Sequence, residues 1–164
     1  MIVQILILII LIGLNAFFAA SEIAYIALND AKIEKQAKEG NRKAQQIQKM
    51  LETPSKFLST IQIGITLAGF LSSAFASDAF ASKLAPILNK LIPIGIGPWQ
   101  SISIILITII LSFFTIIFGE LVPKRLAMKH YEKIAFGTIG IIRTISVITA
   151  PFVKLLSVTT NAIS

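Results

Sequence analysis

Residues 99–119 form an unbroken run without a charged side chain, and Glu120 follows at once. A helix of about 20 apolar residues crosses the hydrocarbon core of a bilayer, so this run reads as a membrane span with an acid at its edge. A carboxylate at that depth costs roughly 2.5 to 3.5 kcal/mol or more unless something pairs with it. The segment Phe118-Gly119-Glu120-Leu121-Val122-Pro123-Lys124 adds a helix breaker and a cation. Pro123 has no backbone N–H and its ring crowds the carbonyl of Gly119, so the helix is expected to kink or stop here and leave peptide oxygens unpaired. Peptide oxygens beside a carboxylate suit a hard cation such as magnesium or calcium. The same residues also admit a plainer reading, in which Glu120 marks the water boundary and pairs with Lys124 one turn on.

The rest of the composition agrees with a membrane protein, being 55% hydrophobic and only 14% charged. The formal charge of +7 is spread over short segments between apolar runs, which the positive-inside rule accounts for. No basic-aromatic module of the kind that binds nucleic acid is present. The chain has no cysteine, which excludes disulfides, thiolate metal sites and cysteine nucleophiles. Its one histidine, His130, stands among Lys129, Tyr131 and Glu132 at a wet boundary. Phosphate loops, HExxH and GxSxG patterns are missing, and an enzyme is not expected.

Taken in order, residues 1–28 give a first span. Its uncharged part lacks the positive leader of a secretory signal and is too long for one, although Ala19-Ala20-Ser21 resembles a cleavage site. Residues 31–52 turn polar, with Ile33, Ala37, Gly40, Ala44, Ile47 and Leu51 on one helical face. Gly40-Asn41 is the expected break of a helical hairpin and Thr53-Pro54 its stop. The positive balance places residues 31–56 in the cytoplasm. Residues 57–77 form a second span in which Gln62, Gly64, Thr66, Gly69, Ser72 and Ser73 supply polar and small groups. These are either helix-packing contacts or oxygens lining an ion site. Residues 78–98 carry few cations and are placed outside, and Trp99 anchors the third span, 99–119, at the outer interface. Lys124, Arg125, Lys129 and Lys133 return residues 124–133 to the cytoplasm, leaving the N-terminus outside. In the last stretch Arg143 and Lys154 project from one face, so residues 124–164 are expected to lie along the membrane as a belt, bent at Pro151.

The fold expected is therefore all-α and integral to the membrane: three transmembrane helices, a cytoplasmic helical hairpin and a C-terminal juxtamembrane belt helix. Ser21-Glu22, Glu39-Gly40-Asn41-Arg42-Lys43-Ala44, the stretch from Leu58 through Gln62, Gly64 and Thr66 to Leu67, and Phe118-Gly119-Glu120-Leu121-Val122-Pro123-Lys124 occur in that order. Together they resemble the membrane domain of the CorC and cyclin M magnesium transporters, also called haemolysin-like proteins. The resemblance implies a homodimer in the lipid bilayer, an inward-opening Mg2+ site, coupling to Na+, and cystathionine-β-synthase-type domains further along the full-length chain. By position it puts ion ligands on Ser21, Glu120 and the Gly119 carbonyl, with Pro123 and Lys124 shaping the site. Several members carry Gly-Asn in the middle span where this chain has Gly64-Ile65, and Gln62 and Thr66 are taken as substitutes.

Magnesium wants near-octahedral oxygen ligands at about 2.0 to 2.1 Å. A carboxylate, a serine and a few amide or peptide oxygens can meet that demand if rigidly held, and they can also hold sodium. A carrier and a non-transporting ion-binding anchor or sensor are thus both compatible with the residues. Gly64, Ala68 and Ser72, four apart, make a stripe for close helix contact within or between subunits, and twofold closure predicts a dimer.

Overall fold

The computed structural model describes residues 1–164, all of its regular structure helical. In chain order the helices are α1 (Ile2–Ala27), α2 (Asp30–Lys38), α3 (Arg42–Leu51), α4 (Pro54–Ala76), α5 (Ser82–Leu91), α6 (Ile96–Ile116), α7 (Val122–Lys129) and α8 (Tyr131–Ile163). Single π-helical turns join α4 to α5 (Ser77–Ala81) and α6 to α7 (Ile117–Leu121). Four continuous helical stretches are long and apolar enough to cross a bilayer: Ile2–Ala27, Pro54–Leu91, Ile96–Lys129 and Tyr131–Ile163. The chain is a multi-pass membrane protein. The second stretch runs past residue 77, the expected end of the second span, through the π turn and on to Leu91 with Pro86 inside it. Likewise the helix does not stop at Pro123. The turn widens to π geometry just before it, a device by which a helix absorbs a residue that cannot complete its ladder.

The backbone divides into two compact units. The first holds residues 1–17 and 65–122. Its interior is built from small side chains, with Ala68, Ser72, Ala76, Ala81, Ala85 and Ser103 buried, while Ile2, Phe70, Ile109 and Phe113 face outward. That inversion is what hydrocarbon selects, since close helix approach rather than hydrophobic burial drives packing there. At the turn between α5 and α6, Gly95 takes a positive φ of 108° and its N–H donates to Asn89 Oδ1 at 3.0 Å. The Trp99 indole donates to the Ile92 carbonyl at 2.6 Å, closing the same turn.

The second unit holds residues 18–64 and 123–164. Asn29 caps α2, its Oδ1 accepting from the N–H groups of Ala31 and Lys32, and Asn41 caps α3 by accepting from Ala44 at 3.1 Å. Gly40, at φ 95°, makes the turn between them, and Ile33, Ala37, Ala44 and Ile47 bury the face the periodicity picks out. The side-chain amide of Gln45 donates across to the Ala37 carbonyl at 3.0 Å. Tyr25 is the largest fully buried side chain. The Tyr25 phenol oxygen lies 2.8 Å from Thr138 Oγ1 in a hydrogen bond and donates to the Ala135 carbonyl at 3.4 Å. The Phe57 ring meets Tyr25 edge to face at 5.9 Å, which ties the start of α4 to the middle of this unit. On the surface Lys32 and Glu132 pair at 2.6 Å.

Candidate functional site

The site begins with a backbone defect. Proline at position 123 offers no N–H to the carbonyl four residues back, and a peptide oxygen left bare in an apolar setting costs about 1 to 3 kcal/mol. In the first unit that oxygen, on Gly119, accepts a hydrogen bond from the Asn15 side-chain amide at 3.0 Å. Asn15 is buried in an otherwise apolar part of α1. A Cβ at 119 would lie 3.0 Å from the Asn15 nitrogen and 3.4 Å from Thr115 Cγ2, so a larger residue there would press on the amide that makes this bond.

Next to this linkage, half-buried Glu120 lines a cleft of about 210 Å3. Ser73 on α4 and Thr108, Ser112 and Thr115 on α6 contribute hydroxyls to it, and Gly69, Leu111 and Ile116 complete the wall. Ser112 donates to the Thr108 carbonyl at 2.7 Å, whereas Thr115 Oγ1 is buried with no hydrogen-bond partner. The cleft therefore offers one carboxylate, one uncommitted hydroxyl and several further oxygens. Nowhere do three or more Asp, Glu, His or Cys side chains converge. Any cation held here would rest on a single negative charge and neutral oxygens, which a hard ion accepts.

Of the residues singled out from the sequence, Gly119 and Glu120 lie together in the π turn, and half-buried Thr66 sits on α4 in the same unit. Ser21, Gln62, Pro123 and Lys124 belong to the second unit. There Ser21 and Pro123 are buried, Gln62 is exposed, and Lys124 directs its ammonium to Glu22 at 3.9 Å. Asn15 and the hydroxyl row were not picked out as site residues from the sequence. The signals were a lone amide in an apolar span and Thr108, Ser112 and Thr115 spaced four and three apart, one face of α6 leading to Glu120.

Residues 6–164 match the family model described as the cyclin M transmembrane N-terminal domain. The UPF0053 protein sll0260 of Synechocystis is 40% identical over 155 residues, 94% of this chain and 34% of that protein. The UPF0053 inner membrane protein YfjD of Escherichia coli is 28% identical, covering 90% of the chain and 31% of the relative. A polyamine export protein of Escherichia coli is 29% identical over 92% of the chain and 33% of its own length. The chain thus spans about a third of the length of these curated relatives.

Proposed function

The chain belongs to the cyclin M transmembrane N-terminal domain family, and we propose that it is the membrane domain of a cation exporter whose cargo is Mg2+, driven by Na+. The observation that carries this reading is the Asn15 amide fixing the Gly119 carbonyl beside the Glu120 carboxylate. One peptide oxygen of the kind a hard cation binds is thereby fixed on a π turn whose next residue carries the carboxylate. Ser21 remains the further ligand that the family resemblance implies, Gln62 and Thr66 are the substitutes taken where the middle span departs from the family pattern, and Asn15 is the residue that positions Gly119.

In this reading three helices cross the membrane, with the N-terminus outside, residues 31–56 and 124–133 in the cytoplasm, and α8 lying along the inner surface. Support for the placement of α8 comes from its neighbours. Lys43 of polar α3 shares a cavity with Gly140 and Thr144, and Lys49 shares another with Arg143. The first half of α8 thus runs beside the basic helices. The remainder, residues 148–163, would extend about 24 Å, short of the about 30 Å of a hydrocarbon core. A homodimer and regulatory domains elsewhere in the full-length protein are further parts of the proposal, the latter in keeping with the longer relatives. The stripe Gly64, Ala68 and Ser72 is covered within one chain, Ala68 and Ser72 being buried and Gly64 lying against Phe18, so the dimer contact is assigned to other faces.

A second reading follows from the relative named a polyamine export protein. The cleft at Glu120, with one carboxylate, a row of hydroxyls and apolar walls, also suits an alkylammonium chain. Flux measured in proteoliposomes with a magnesium-sensitive dye and, in parallel, with radiolabelled spermidine separates the two. Binding without flux of either would favour an ion-binding anchor. Glu120→Gln keeps the shape and removes the charge, so Mg2+-dependent thermal stabilisation is expected to fall at least tenfold in apparent affinity while folding survives. Wild-type stabilisation in that variant would remove Glu120 from the site.

A further inference from the structure

A second cavity, in the other unit, is framed by the end of α3, the start of α4 and the middle of α8. Three cations line it, Lys49, Lys56 and Arg143, and no carboxylate does. None of the three belongs to the ion pairs of this unit, which join Lys32 to Glu132, Lys38 to Glu34 and Lys124 to Glu22. Gln46, Thr53 and Ser146 add neutral hydrogen-bonding groups. The volume, about 260 Å3, admits a phosphate group with part of its substituent. Lys56 and Phe57 belong to the first turn of the 23-residue helix α4, whose positive end adds to the field although the Lys56 N–H is taken up by the Thr53 carbonyl. At the opposing end of α3 the Gln48 and Met50 carbonyls are taken up by the N–H groups of Glu52 and Thr53, which blunts their negative potential. Like charges crowd a cavity in this way at a free-energy cost that an anion would relieve.

We propose that this cavity is a phosphate site, filled by the headgroup phosphate of an anionic phospholipid or by a soluble phosphate of the same chemistry. The surroundings favour the lipid. Met50, Phe57 and Val147 form an apolar wall, and Val147 and Ile148 beside it are 71% and 72% exposed, a surface along which an acyl chain can lie. Basic pockets between helices at a cytoplasmic membrane face bind lipid headgroups by this combination of charge and apolar groove. A lipid bound there would add to the contacts that already hold α3, α4 and α8 together.

The test is thermal unfolding of the detergent-purified protein titrated with phosphatidylglycerol, with phosphatidylcholine and with inorganic phosphate. Phosphatidylglycerol is expected to stabilise and phosphatidylcholine not. About fivefold in affinity should go with each charge removed, so Arg143→Gln loses about fivefold and the combined Lys49→Gln, Lys56→Gln, Arg143→Gln variant about a hundredfold. A control lacking Lys35, Lys38 and Arg42 should bind as the wild type does. Stabilisation by inorganic phosphate alone, lost in the same triple variant, would support the site and assign it to a soluble ligand. The proposal fails if the triple variant keeps its lipid affinity, if the control loses as much, or if neither phosphate source stabilises the protein. Both lipid-site variants and the control are read against their own unfolding temperatures without lipid, so a general loss of stability is not mistaken for lost binding.

Discussion

The side-chain amide of Asn15 donates to the peptide oxygen of Gly119 at 3.0 Å, joining residues 104 positions apart in sequence. One buried amide thereby satisfies a carbonyl that Pro123 cannot. Asn15→Leu keeps the volume and deletes the donor, leaving a buried oxygen bare. We expect it to lower stability by about 1 to 3 kcal/mol, and to weaken Mg2+-dependent stabilisation because the carbonyl is no longer aimed. Unfolding in detergent with and without Mg2+ measures both. Unchanged values in both arms would show that the bond neither stabilises the turn nor positions a ligand.

Pro123→Ala restores the N–H at that position. The new donor can bond the Gly119 carbonyl in regular α geometry and compete with Asn15, so the π turn at Ile117–Leu121 should relax towards an α-helical one. The expected signature is separable from ordinary damage: helix content by circular dichroism is kept, while Mg2+-dependent stabilisation weakens. Retained ion response would mean that the π turn is a packing feature only.

A methyl group at Gly64 would meet the Phe18 ring at 2.5 to 2.7 Å. Such an overlap must be relieved by moving an aromatic ring on a buried helix face, and overpacking of this kind costs about 1 to 3 kcal/mol. Gly64→Ala should therefore unfold at lower temperature than wild type, and adding Phe18→Leu should recover part of the loss. Additive destabilisation in the double variant would contradict the contact.

How much of this was legible beforehand divides along physical lines. The helical, membrane-embedded character followed from charge-free runs, because a bilayer imposes that length and composition on any chain that crosses it. The turn at Gly40 and the buried face of α2 and α3 followed from periodicity and from Asn41, whose cap is a local interaction. Gly119 and Glu120 stand out as candidates because an acid three residues before a proline is conspicuous in an apolar run. Asn15 was not read as their support, since its role depends on a partner 104 residues away and no local rule reports a distant contact. That the helix continues through Pro123, where a kink or a stop was expected, was left open for a related reason. Proline's local cost argues for a break, but a π turn and a side-chain donor on another helix together remove most of that cost.

Lys32 is an exposed lysine whose ammonium hydrogen-bonds to, and is attracted by, the Glu132 carboxylate, which raises its pKa above the ordinary 10.5. A lysine raised in the folded state is stabilising wherever it is protonated in both states. The contribution is fully present below 10.5 and disappears as pH climbs through the higher folded value. Lys32→Gln should thus be slightly less stable than wild type at neutral pH, by an amount that shrinks with added salt because the pair is exposed to solvent. Once the pH passes the raised folded value the two proteins should converge, since deprotonated Lys32 then offers Glu132 no charge. A gap between them that persists unchanged at that pH would assign the effect to packing of the lysine stem, not to the ion pair.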